Sequence, residues 1–350
     1  MDNPMTNSFI RIAAASLATQ PGSPAYNAEK MVEAIRQAAK EQAALVILPE
    51  LCLCGCTCGD LFYSPALLAE CQRALQQVVS QTADYNLVAV AGLPVEADGR
   101  LFNCGVLFSR GQILACVPKT HLSNQSALYE SRYFAPAGCA VSDQVELCGQ
   151  WVPFGTDLVL GCSTIPGFGL ACEIGEDLWA PVSPACRAAL AGATVIANPA
   201  AGNDHAGSGD TRRLLVAAQS QKLQCAYLYA ANSRGESTTD LVFSGARLVG
   251  VQGQIAEEQE GCGLTFATVD TQVLTGLRRR SDAFDGPGDD RPVRRVPFAL
   301  PGYRLPVPAH NPSPFLPAPE KRDEVCREVL RFQVAGLLQR VKAVGAKRLV

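Results

Sequence analysis

Glu173-Ile174-Gly175-Glu176-Asp177-Leu178-Trp179 is the stretch whose reading decides the fold. A short apolar run, Phe168 to Ile174, leads into it, and a turn bearing two acids and an aromatic side chain follows. A buried strand that ends in such a turn delivers polar groups to the mouth of a pocket. Working outward, Leu158-Val159-Leu160 and Leu170 to Ile174 read as short strands around the elbow. Pro184 to Ala191 reads as a short helix, and Ala193 to Ala197 as a buried strand ending at Asn198-Pro199. Arg212 to Gln224 is a further helix and Ala226 to Ala231 a further strand. Asp240 to Phe243, Ala246 to Gly250 and Leu264 to Val269 are expected to close the sheet.

The N-terminal half repeats this alternation. Ile10 to Leu17 reads as a strand. Asn27 to Gln42 has apolar residues at helical spacing (Met31, Val32, Ile35, Ala38), with Asn27 as the expected N-cap. Ala44 to Leu48 is an uninterrupted apolar run of strand length, as suits a strand covered on both faces, and ends at Pro49-Glu50. Leu67 to Thr82 reads as a second helix and Leu87 to Leu93 as a third strand. Leu101 to Ser109 and Gln112 to Val117, joined at Arg110-Gly111, read as a hairpin. Strands alternating with helices make an α/β layered domain.

Composition bounds the function. The chain is 48% hydrophobic and 18% charged, which places it among folded globular proteins. Its net charge of −3 argues against a nucleic-acid or anionic-membrane partner. No apolar run is long enough for a membrane span. Met1 to Ser8 lacks the basic start and apolar core of a signal peptide. The 15 cysteines, an odd number, fit a reducing cytoplasm better than a disulfide framework. Cys52, Cys54, Cys56 and Cys58 alternate with other residues and would line one face if extended. Both a thiolate cluster and free cysteines acting as small apolar side chains remain open. From Arg278 the composition turns to Gly, Asp and Pro, with a proline-rich stretch from Pro301 to Pro319. The organisation expected is a domain over 8–280, a linker over 281–319, and an amphipathic helix opening a second domain over 320–350.

The elbow stretch resembles the nucleophile elbow of the nitrilase superfamily, and most closely that of the glutamine-hydrolysing domain of glutamine-dependent NAD+ synthetases. In that family it reads Glu-Ile-Cys-Glu-Asp-Leu-Trp, and the cysteine attacks the amide. Here Gly175 takes the place of the cysteine. Further matches are Pro49-Glu50-Leu51 with Gly59-Asp60-Leu61-Phe62, Val117-Pro118-Lys119-Thr120-His121-Leu122, Tyr129 to Phe134, and Glu236 to Phe243. The resemblance implies a nitrilase-type α-β-β-α sandwich. It also implies Glu50 as general base, Lys119 as the cation that stabilises the tetrahedral intermediate, and Glu130 as a second acid beside the lysine. A cysteine amidohydrolase needs a thiolate, a base and an oxyanion-stabilising group; this chain carries the last two.

The substrate loops depart from the family as well. The place of a tyrosine after the lysine is Gln125, and the places of a serine and a basic residue after Asn198 are Gly202 and Ser208. Glu176 is the family's acid beside the nucleophile. His205 in the same loop reads as a solvated histidine rather than a catalytic one. Cys172, three residues before Gly175, falls on the opposite face of a strand, ~10 Å back at roughly 3.3 Å per residue, which favours a buried core thiol. The resemblance implies glutamine or a related amide as ligand, no metal at this step, a synthetase domain in cis or trans that uses ATP and Mg, and homo-oligomers. The Ser-Gly-Gly-x-Asp-Ser loop of the synthetase domain does not occur in the sequence. Three readings follow: an inactive structural domain, an amidohydrolase using another thiol such as Cys172, and a module that holds an amide or nucleotide without turning it over.

Overall fold

The structure, a computed structural model, describes residues 8–124, 128–238, 240–285, 292–303, 305, 313 and 315–348. The first sheet takes β1 (Phe9–Ser16), β2 (Ala43–Ile47), β3 (Val88–Ala97), β4 (Arg100–Ser109), β5 (Gln112–Pro118) and β14 (Gly263–Asp270), in the order β14-β1-β2-β3-β4-β5. α1 (Pro24–Lys40) and α2 (Pro65–Gln81) carry the chain between its parallel strands. The hairpin of β6 (Gln144–Leu147) and β7 (Gln150–Pro153) follows. The second sheet is built from β8 (Leu158–Cys162), β9 (Gly169–Cys172), β10 (Val195–Ala200), β11 (Ala226–Ala231), β12 (Arg247–Val251), β13 (Gln254–Gln259) and β15 (Arg294–Phe298). Its order is β13-β12-β11-β10-β9-β8-β15. α3 (Pro184–Leu190) and α4 (Ser208–Lys222) cross over between its parallel strands, and α5 (Thr271–Arg278) follows β14.

The side-chain period of two sets the layers. On β2, Leu45 and Ile47 join Ile10, Ile12, Leu170, Val195 and Leu228 in a core between the two sheets. Val46 turns the other way, to Met31, Ile35, Leu75 and Val78 of α1 and α2. On the far side, Ile196 and Tyr227 face Ala185, Ala189 and Val216 of α3 and α4. The result is the nitrilase-type sandwich of helix, sheet, sheet and helix. The site sits where β2, β5, β9 and β10 end, because parallel strands of the two sheets run out at one rim.

Several sequence expectations need correction. Asn27 is not the N-cap: α1 begins at Pro24 after Ser23, with proline in the first turn where its missing N–H costs nothing. Asn27 is buried, and its amide accepts from Gln20 N at 2.7 Å and donates to Leu53 O at 3.1 Å. The four alternating cysteines do not share an extended face, because Leu51 to Cys54 is a turn; Cys52, Cys54 and Cys58 are buried. Among the described residues no cluster of metal-ligating side chains is present. Asp240 to Phe243 forms no strand; Phe243 makes only an isolated bridge to Asn203. The stretch expected as a linker contains β15, which pairs in parallel with β8 and places Phe298 in the inter-sheet core.

The chain divides into one unit ending at Leu305 and a second beginning at Pro306. The second unit holds α6 (Arg322–Ala343), on which Leu330, Phe332 and Leu337 are largely exposed. Among the described residues no helix is long and apolar enough to cross a membrane.

Candidate active site

Glu50 leaves the end of β2 on a turn that both sheets hold. Its N–H donates to Ala200 O at 3.3 Å, and its carbonyl accepts from Asn232 Nδ2 at 2.8 Å. The side chain is buried, and both of its oxygens accept hydrogen bonds. Oε1 accepts from Lys119 Nζ at 2.6 Å and Asn103 Nδ2 at 2.6 Å, and Oε2 accepts from Ala201 N at 2.8 Å. Lys119 follows the last residue of β5. Its N–H donates to Asn103 O at 2.8 Å, and its carbonyl accepts from Ala137 N at 2.8 Å. Its ammonium also reaches the Glu130 carboxylate at 2.8 Å. Glu130 opens a short helical turn, and its other oxygen accepts from Ser123 N at 2.7 Å.

The elbow is a five-residue helical turn, Gly175–Trp179, which begins after Glu173 and Ile174 have followed β9. Asp177 binds it to the lysine loop: its carboxylate accepts from Ile174 N at 3.0 Å, Thr120 N at 3.1 Å and His121 N at 2.7 Å. A buried chain supports it from behind. Gly175 N donates to Asn198 Oδ1 at 2.9 Å, Asn198 Nδ2 donates to Tyr227 OH at 2.8 Å, and Tyr227 OH donates to Glu173. Gly175 has φ +48°, in the left-handed region that glycine adopts without strain. A Cβ built there would overlap Glu50 Oε2 and lie 3.2 Å from Lys119 Nζ. The missing side chain would therefore point straight at the carboxylate and the ammonium.

Electrostatics follows from burial. Desolvation pushes the Glu50 carboxyl up to about 7, against the pull of Lys119. Burial alone would lower the Lys119 ammonium, but the Glu130 and Glu50 carboxylates beside it raise it well above its usual range. Burial likewise raises Glu176 and Asp177. A carboxyl near 7 can take or give a proton at neutral pH, and a fixed ammonium can hold an oxyanion.

A cavity of about 860 Å³ opens over these groups. Glu50, Lys119, Glu130 and Gly175 meet at it, and Glu176, Gly202 and Ser208 also line it. Gln125 lies outside the described residues. His205 is exposed at the rim. Cys172 does not reach the cavity. It is 6% exposed within the inter-sheet core, and burial pushes its thiol well above the usual range. Gly202, with φ +69°, has no room for a side chain: a Cβ would lie 2.7 Å from Ala231 Cβ and 2.8 Å from Tyr229 Oη. Sequence reasoning missed Asn103, Asn198 and Arg212. A lone amide inside the apolar run Leu101 to Phe108 was the available signal for Asn103.

Comparison with known proteins shows the family and the fold. Residues 11–279 match the carbon-nitrogen hydrolase family. The glutamine-dependent NAD(+) synthetase of Mycobacterium tuberculosis is 36% identical over 98% of this chain and 52% of its own length. That of Mycobacterium leprae is 33% identical over 99% of this chain and 53% of its own. The chain thus spans about half the length of these curated relatives. A solved glutamine-dependent NAD(+) synthetase from Cytophaga hutchinsonii superposes with a TM-score of 0.67 at 24% identity, over 75% of this chain and 43% of that one. An amidase from Nesterenkonia sp. superposes with a TM-score of 0.60 at 21% identity, over 79% of this chain and 97% of that one. Alternating layers, the rim site and the matched segment lead to one conclusion: this chain belongs to the carbon-nitrogen hydrolase family.

Proposed function

We propose that this chain is a glutaminase-type domain of the NAD+-synthetase kind that keeps its amide pocket and has lost its attacking group. Glu50 is the general base, Lys119 the oxyanion cation, and Glu130 the second acid that holds the lysine. The observation that carries the reading is Gly175, where an added side chain would face both Glu50 and Lys119. Loss of the nucleophile from a set that works as a unit costs on the order of a million-fold in rate. The domain then holds glutamine or a related amide without hydrolysing it, and packs with a synthetase domain, in cis or trans, that works on free ammonia. ATP and Mg belong to that synthetase domain, and the amide pocket takes no metal. Cys172 is no substitute nucleophile, since it faces the core between the sheets.

The test is ammonia release from glutamine by the parent chain and by Gly175→Cys. A silent parent with an active variant is the expected result. Turnover by the parent that Glu50→Gln abolishes would falsify the loss of function.

A further inference from the structure

Behind one wall of the cavity lie thiols that the amide-handling groups do not use. Cys54 and Cys58 sit on the turns that follow Glu50, and Cys71 of α2 packs into the same core. Cys54 and Cys71 are closed off from solvent, while Cys58 is 7% exposed. The backbone brings two of the sulfurs to one acceptor. Cys54 Sγ donates to Gly55 O at 3.4 Å, and Cys58 Sγ reaches the same oxygen at 3.4 Å and Cys54 O at 3.0 Å. Gly55 permits this close turn: its φ is +92°, and a Cβ there would lie 2.8 Å from Pro21 Cα. The chain between the sulfurs is held from its other side by the buried Glu236 carboxylate. That carboxylate accepts from Cys56 N at 3.0 Å, Thr57 N at 3.1 Å and Thr57 Oγ1 at 2.5 Å. The two thiols are therefore held as neighbours, and both are free. They are not equivalent. Burial, with the thiols of Cys58 and Cys71 adding to it, pushes Cys54 well above its usual range, whereas the hydrogen bond from Cys54 holds Cys58 below its own. A thiolate-forming sulfur backed by a protonated one is the pairing that thiol–disulfide exchange uses, one sulfur to attack and one to resolve.

We propose that Cys54 and Cys58 form a dithiol exchange site whose co-reactant is a low-molecular-weight disulfide. Cys58 attacks as the thiolate: its sulfur bonds to one sulfur of the small disulfide, the S–S bond of that molecule breaks, and the first thiol leaves with a proton from solvent. Cys54 then gives its proton to solvent, and its sulfur attacks that of Cys58. The intramolecular bond forms and the second thiol is expelled. The protein loses two electrons and two protons, and the small disulfide gains them. Bond formation, at ~2.05 Å between the sulfurs, requires both to leave their shared acceptor. Cys71 lies on a helix rather than on the turn and stays a thiol. Cys56 and Thr57, between the two sulfurs, line the cavity, so the bridge forms within the cavity wall. The site does not depend on the amide-pocket reading.

The experiment treats the folded, fully reduced chain with 2-hydroxyethyl disulfide. Remaining thiols are then alkylated in denaturant, and the pairing is read by tandem mass spectrometry. The parent should lose two hydrogens to a bridge between Cys54 and Cys58, and dithiothreitol should restore them. Cys58→Ser should abolish the bridge. Cys54→Ser should stop one step earlier, with mercaptoethanol held on Cys58. Cys71→Ser should form the bridge as the parent does, and it carries the reading with the parent if the other two variants do not fold. A bridge from Cys54 to Cys71 overturns the inference, as does modification confined to the exposed Cys262 and Cys326. So does a bridge between Cys54 and Cys58 that forms only when the chain is unfolded before the disulfide is added.

Discussion

Replacing Gly175 by alanine separates the backbone of the elbow from its chemistry. At φ +48° a side chain costs ~1–2 kcal/mol against the following carbonyl. The new Cβ also overlaps Glu50 Oε2, and that carboxylate is not free to swing away. Lys119 and Asn103 hold Oε1, and Ala201 N–H holds Oε2 at 2.8 Å. Displacing Oε2 gives up a hydrogen bond to a charged acceptor, worth ~1.5–3 kcal/mol. The combined loss is about 3–5 kcal/mol. For a folded unit of roughly 300 residues, with the usual unfolding entropy per residue, Tm falls by about 4–8 °C. In a Glu50→Ala background the overlap is gone, so Gly175→Ala should cost only the ~1–2 kcal/mol of the backbone. Differential scanning calorimetry on the four proteins measures the coupling. A Tm change below about 1 °C, or the same loss in both backgrounds, refutes the account of Glu50 as the group that fills the elbow.

Three further outcomes follow from the same structure. Burial lifts the Glu173 carboxyl from 4.5 in the unfolded chain to about 7 in the fold, so the folded state binds the extra proton between those values. Stability is therefore fully present below pH 4.5 and is lost as pH rises through 7, by about 3 kcal/mol; denaturant titrations should show this fall flattened in Glu173→Gln, and an unchanged slope contradicts it. In thiol labelling of the native chain, exposed Cys262 and Cys326 should react first and Cys172 only on unfolding; early modification of Cys172, read by peptide mass spectrometry, reverses its assignment to the core. Gly202→Ser should lower stability by ~1–3 kcal/mol, because the added atom meets Ala231 and Tyr229 at positive φ; a neutral variant would show that this loop has room after all.

Much of this molecule was legible where local pattern and burial agree. Ala44 to Leu48 had to be a strand covered on both sides, and it is the second strand of the first sheet. The family resemblance assigned Gly175, Glu50, Lys119 and Glu130 to one site, and the structure brings them to one rim although Glu50 and Gly175 lie 125 positions apart. What escaped was of another kind. β15 carries Pro297 and lies among glycines and prolines, so its sequence reads as linker; proline is tolerated there because the strand lies at an edge. Whether β14 joins the second sheet or pairs with β1 is a matter of long-range pairing that no local window contains. Arg212 looked like one of many helix arginines, since its partner Asp204 lies in the preceding loop and its burial depends on Tyr229 from another strand.

The pairing of β15 with β8 also moves the boundary at which this protein can be divided. The family match ends at residue 279, yet the second sheet is finished only by residues 294–298. Arg294 fastens that last strand through its paired hydrogen bonds to Asp157, at 2.7 and 2.6 Å. A shortened protein stopped at 280 would leave the outer side of β8 with bare N–H and C=O groups next to the uncovered Leu158 and Leu160. Exposed ladders of this sort recruit strands from neighbouring molecules, so such a fragment should collect in oligomers and aggregates where a fragment continued to Leu305 stays dispersed. The useful seam for cutting, fusing or transplanting the domain therefore lies some twenty-five residues beyond the end of the family match.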